Sequence, residues 1–196
     1  MDPLVSSVNL MTIIFPITYT IWLISEIALN RLLRSKSTDK QNTDKNSLSI
    51  IWFTVVISNA IAYYLAMTTY HPIDNNLIIG YAGLALIFTG IVLRLIVVRS
   101  LGRFFTVDVT IRDGHQLKTD GFYQYLRHPS YFASLLSFLG FGISLNNWVS
   151  LILVTVAITV VFIIRINVEE KVLIEQFGDE YVEYKMRVKG LIPFVW

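Results

Sequence analysis

The 196-residue sequence contains no cysteine, which excludes disulfides, thiolate metal sites, cysteine nucleophiles and S-palmitoylation. It is also poor in charge: Asp, Glu, Lys and Arg make up 15% of residues, against about 25% in an ordinary soluble domain. Hydrophobic residues reach 54%, with a mean hydropathy of +0.58. The shortage and the excess together exclude a disordered chain, a nucleic-acid-binding domain and a soluble multidomain enzyme. They point to an integral membrane protein built as one helical bundle. The catalytic strings GxSxG, Walker loop and Rossmann glycine fingerprint are missing. His71, His115 and His128 have no metal-ligand spacing, so no metal is expected.

The few charges come in blocks. The apolar run 4–27 carries only Glu26. It lacks a basic start and a small-residue cleavage site, so it reads as a retained span rather than a signal peptide. Residues 46–73 and 75–93 carry no charge, and neither does 128–164, whose middle holds Asn146-Asn147 as a turn. At 1.5 Å per residue these runs are long enough to cross a bilayer. The expectation is an all-α integral membrane protein with a single membrane domain over 1–196. Its five transmembrane helices fall near 4–27, 48–70, 76–98, 130–145 and 148–166. Every Lys and Arg lies in 31–45, 94–127 or 165–189. The positive-inside rule therefore places the N-terminus outside and the C-terminus in the cytoplasm. The membrane would be the cytoplasmic membrane of a prokaryote or the endoplasmic reticulum of a eukaryote.

Within the spans, Gly80, Gly83 and Gly90 are spaced for close approach of a neighbouring helix. Pro16 is expected to kink the first span, and Glu26 and Asn59 to form interfacial or inter-helix hydrogen bonds, with a direct role in a substrate pathway as the alternative. The polar stretch 31–47 reads as a solvated loop touching anionic headgroups.

Two cytoplasmic segments, 101–131 and 165–196, exceed what spanning requires. In the first, alternating residues at 106–111 followed by Asp113-Gly114 suggest a short hairpin. Pro129 suits the first turn of the fourth helix. The second begins with a helical pattern ended by Gly178, and it places Arg165 and Glu169 four apart on one face. An arginine there can snorkel or hold a carboxylate. On residues alone, His128 as a helix-entry residue, Arg165 as a headgroup anchor and Phe122, Tyr123 and Tyr125 as an aromatic belt remain open.

The strings His115-Gln-Leu-Lys118, Gly121-Phe-Tyr123, Arg127-His-Pro-Ser-Tyr131, Glu169-Glu170 and Phe177-Gly-Asp-Glu-Tyr181 resemble the isoprenylcysteine carboxyl methyltransferase family. The resemblance covers 105 to the C-terminus. It implies methyl transfer from S-adenosyl-L-methionine to the free α-carboxylate of an S-prenylated cysteine, leaving S-adenosyl-L-homocysteine. It implies a cofactor region at 101–131 and 165–196, with His115, Gln116, Leu117, Lys118, Tyr123, His128, Pro129, Ser130, Tyr131 and Glu169 at the cofactor. Arg165 matches the position that meets the substrate carboxylate. The implied partners are a prenylated cysteine, peptide or protein and the membrane lipids. A carboxylate with a pKa near 3.5 needs no general base, so positioning is the expected source of rate.

The rival readings are an N-methyltransferase of a phospholipid or other lipid amine, an NADPH-dependent sterol-type reductase, and a non-catalytic scaffold. Arg165 beside an amine acceptor would be repulsive, which ranks the first rival lower. On the sequence, Glu169 and Glu170 could exchange roles.

Overall fold

A computed structural model describes residues 3–33, 47–107 and 114–192. The chain forms helices α1 (Pro3–Leu32), α2 (Ser47–Thr68), α3 (Ile78–Leu101), α4 (Pro129–Ser144), α5 (Trp148–Phe177) and α6 (Asp179–Arg187). Short 3-10 turns at Gly102–Phe104 and Gly121–Gln124 link α3 to α4. Met11–Leu32 of α1, together with α2, α3 and α5, is long and apolar enough to cross a membrane, while α4 is a shorter apolar helix. The expected hairpin at 106–111 lies mostly outside the described residues. Among those described, strand-like pairing is limited to one parallel bridge between Leu126 and Lys189.

Local chemistry explains the helix ends. Pro129 opens α4, where its missing N–H removes no helical bond. Asn147 caps α5 by accepting from the Val149 and Ser150 amides at 3.0 and 3.1 Å. Asn146, at φ 49°, accepts from the Ile73 and Asp74 amides at 3.0 and 3.1 Å. The Asn pair thus turns the chain and also ties that turn to the loop between α2 and α3. Gly178 ends α5 at φ 56°, its amide donating to Ile174 O at 2.8 Å.

Glycines set the packing of α3 on α4. A Cβ on Gly83 would lie 2.4 Å from the Ser144 nitrogen and 2.6 Å from Gly140 O, so the two backbones touch. Gly90 meets Ala133 and Ser137 in the same way, whereas Gly80 meets the end of the Met11 side chain. Helix α1 adds Trp22, stacked edge-on against Phe138 at 4.7 Å, and Tyr19, 5.4 Å from Phe141. Helix α2 packs on α5, where the Ser150 hydroxyl donates to Ala62 O at 2.7 Å. Helices α1 and α2 make no extensive contact with each other. A cleft lies between them.

Candidate active site

The cleft opens into a cavity of about 1590 Å³, counting the space at its mouths. Its apolar arm runs between α1 and α2, walled by Leu23, Leu48, Ile51 and Val55 and floored by Phe138 and Phe162. Its polar end is built by the first turn of α4, the far half of α5, and α6.

Arg165 stands where the two ends meet and is only 2% exposed. Its guanidinium donates to the Tyr131 hydroxyl at 3.3 Å, to the Ser47 hydroxyl and to Val107 O at 2.6 Å. The Tyr131 hydroxyl in turn donates to Glu169 Oε2 at 3.0 Å. Arg165 and Glu169 therefore share one helix face and one intermediary.

A second guanidinium reaches the same turn of α4. Arg94 donates to Ser130 O and Oγ at 3.1 and 2.9 Å and lies 3.0 Å from Glu26 Oε1. The expected inter-helix bond of Glu26 is thus an ion pair, and both partners line the cavity. Arg94 was not a sequence candidate; the available signal was an arginine inside an apolar span.

Of the residues expected at the cofactor, His115, Leu117, Lys118 and Tyr123 line the cavity. So do His128, Pro129, Ser130, Tyr131 and Glu169. Gln116 does not: it is exposed and lies outside the cavity wall. His115 stacks on Phe104 at 4.9 Å, which places the 115–118 stretch against the end of α3. Tyr181 and Tyr184 of α6 also line the cavity, though no sequence reading placed them there.

The paired acids separate. Glu169 has a side chain 32% exposed and faces the cavity. The Glu170 side chain is 5% exposed and is gripped from three sides. Arg127 Nη2 lies 2.7 Å from its Oε1, His128 Nε2 3.1 Å from the same oxygen, and Lys185 Nζ 2.6 Å from Oε2. Arg127 also donates to Lys185 O at 3.2 Å and to Val188 O. The backbone amides of Arg127 and His128 donate to Lys189 O and Gly190 O at 2.8 and 3.0 Å. Glu170 therefore clasps α4, α5, α6 and the segment after α6 into one wall.

Tyr184 donates to Tyr123 O at 2.5 Å. Burial pushes both phenols above their ordinary range, and Glu169 adds to the effect at Tyr123. Both stay protonated at neutral pH. Among the described residues no cluster of His, Asp and Glu is arranged to hold a metal.

Residues 78–180 match the family model described as Phospholipid methyltransferase, which puts the chain in a class of membrane methyltransferases. Protein-S-isoprenylcysteine O-methyltransferase B of Arabidopsis thaliana is 38% identical over 135 residues, 67% of this chain and 68% of the relative. A probable protein-S-isoprenylcysteine O-methyltransferase of Oryza sativa subsp. indica is 31% identical, covering 80% of this chain and 84% of the relative. The chain belongs to the isoprenylcysteine carboxyl methyltransferase family and is an enzyme. In structure it is similar to the eukaryotic intramembrane Ras methyltransferase, isoprenylcysteine carboxyl methyltransferase, solved without a monobody. That likeness has a TM-score of 0.59 at 28% identity and covers 78% of this chain. The chain spans about half of that structure, 54% of its length. The family match begins at Ile78, well before the first motif that carried the resemblance.

Proposed function

We propose that the protein methylates the free α-carboxylate of an S-prenylated cysteine, using S-adenosylmethionine and producing a methyl ester. The observation that carries this reading is the position of Arg165, a buried guanidinium at the junction of an apolar arm and a polar pocket. Such a junction suits a ligand with a hydrocarbon tail attached next to a carboxylate. The acceptor carboxylate would replace neutral oxygens on Arg165, adding an ion pair to hydrogen bonds whose donor is already charged. Arg94, paired with Glu26, holds the other side of the α4 terminus through Ser130.

The polar pocket fits the cofactor by its donor set. Glu169 offers a partly exposed carboxylate for an ammonium or ribose hydroxyls, and the Tyr123 ring, close enough to feel its charge, lines the same cavity. When bound, S-adenosylmethionine supplies an electrophilic methyl group on a sulfonium. The chain's part is to hold the carboxylate oxygen in line and exclude water. Such positioning can lower a barrier by ~7–11 kcal/mol. An ionised carboxylate is already the nucleophile, so no base is required. The Arg165 guanidinium at the junction disfavours a lipid-amine acceptor, whose cationic form it would repel.

The reading extends to orientation. We infer five spans, α1 to α5, with the N-terminus outside and the polar pocket in the cytoplasm, from the segregation of Lys and Arg. Helix α5 has 30 residues, about 45 Å at 1.5 Å per residue, against ~30 Å of hydrocarbon. Counting about 20 residues inward from Trp148 puts Arg165 at the inner boundary and Glu169 beyond it. Helix α4, with 16 residues, reaches ~24 Å and needs local thinning or flanking polar residues at its ends.

The test is methyl transfer from labelled S-adenosylmethionine to N-acetyl-S-farnesylcysteine by purified protein. Base-labile label is the expected result. Stable incorporation into phosphatidylethanolamine, with none into the thioether acid, would overturn the reading in favour of a lipid amine.

A further inference from the structure

The apolar arm contains two polar atoms that its hydrocarbon role does not explain. Asn59 is the residue furthest along α2 that lines the cavity, and it is 5% exposed. Its Oδ1 is buried without a hydrogen-bond partner among the described residues. Across the cleft on α1, Trp22 is 3% exposed, also lines the cavity, and has an Nε1–H in the same condition. Each group lacks a partner where no bulk water is at hand, a position that natural structures avoid. Helices α1 and α2 are held by different neighbours, so the cleft between them gives access to this depth. From Leu48 to Asn59 the arm follows α2 for about 16 Å.

We propose that Asn59, supported by the Trp22 indole N–H, sets the length of hydrocarbon tail that the arm accepts. This deepens the reading above and rests on it. A tail that stops short of Asn59 leaves room at the end of the arm for water. Water there can donate to Oδ1 and accept from Nε1–H, meeting both needs. A tail long enough to lie over Asn59 displaces that water with hydrocarbon. The amide oxygen and the indole N–H then stay unbonded in an apolar setting, which penalises binding. The polar floor thus discriminates by tail length rather than by headgroup.

The experiment compares N-acetylcysteine acceptors carrying S-geranyl, S-farnesyl and S-geranylgeranyl tails, with labelled S-adenosylmethionine, on wild type, Asn59→Leu and Trp22→Phe. In wild type, kcat/KM should fall on passing from the tail that just fills the arm to the next longer one. In Asn59→Leu that fall should shrink by roughly tenfold, the size of one unsatisfied buried polar group, and the change should appear in KM. Trp22→Phe keeps an aromatic ring against Phe138 but deletes the pyrrole part with its N–H, so it should shift the same ratio in the same direction by less. A rise in melting temperature with S-adenosylhomocysteine marks each variant as folded. Should Asn59→Leu misfold, the Trp22→Phe ratio decides alone. Length profiles that match wild type in the folded variants overturn the proposal while the methyl transfer reading stands. No transfer to any of the three acceptors by wild type would remove that reading, and this inference with it.

Discussion

Glu170 Oε1 sits 3.1 Å from His128 Nε2, and this contact divides the work of two adjacent acids. The Glu170 side chain is 5% exposed, between Arg127, His128 and Lys185, while that of Glu169 is 32% exposed beside the cavity. Removing Glu170 leaves Arg127, whose side chain is 8% exposed, without its counter-charge. Glu170→Ala should lower stability by on the order of 3 kcal/mol. Glu169→Ala should leave the melting temperature near wild type and abolish the rise produced by S-adenosylhomocysteine. Melting curves of both variants in detergent, with and without that product, read the difference. If Glu169→Ala were the destabilised one, the assignment would be reversed.

Among the described residues, the Arg165 guanidinium donates in three directions, to Tyr131, Ser47 and Val107. A lysine cannot reproduce that fork. Arg165→Ala and Arg165→Lys should each lower kcat/KM for the prenylcysteine acceptor by about 10–100-fold, the range for a charged hydrogen bond of ~1.5–3 kcal/mol. Binding of S-adenosylhomocysteine should change little. Equal losses for acceptor and cofactor would move Arg165 into the cofactor pocket.

Gly83 and Gly80 lie on the same helix yet differ in what a side chain would meet. At Gly83 it meets the backbone of Ser144 and Gly140, which cannot step aside; at Gly80 it first meets the tip of Met11. Gly83→Val should cost about 3 kcal/mol through overpacking, while Gly80→Ala should lower the melting temperature only slightly. Thermal unfolding of the two variants separates backbone contact from side-chain contact, and similar losses would contradict the close crossing of α3 and α4.

The phenols of Tyr123, Tyr181 and Tyr184 are all held above their ordinary range, first of all by burial. The folded state therefore keeps protons that the unfolded chain releases near pH 10. Their contribution to stability is complete below that pH and is lost as the pH rises above it. The melting temperature should fall between about pH 10 and 11, and Tyr184→Phe should fall less steeply. An unchanged slope in that variant would exclude Tyr184 from the effect.

Helix boundaries were legible because they rest on local chemistry. The charge-free runs, Pro129, Gly178 and the Asn146-Asn147 turn each act within a few residues. Gly83 was legible through spacing alone. The site was legible only through motif resemblance, which named Glu169 and Arg165 but could not tell Glu169 from Glu170. That distinction depends on Lys185 and Arg127, distant in sequence and close in space. The same holds for Arg94, whose relevance appears once Glu26 and Ser130 surround it. Gln116 is the reverse case: a motif position whose neighbours line the cavity while it is exposed outside the cavity wall.

The cleft between α1 and α2 has one more consequence. A hydrocarbon-lined slot between two membrane helices can take up an acyl chain when an acceptor is absent. Binding the acceptor is then an exchange, one chain leaving as another arrives, and the relevant concentration is mole fraction in the membrane. Apparent affinity should scale with the amount of surrounding lipid or detergent. Two laboratories using different micelle concentrations would report different KM values for the same enzyme and both be right.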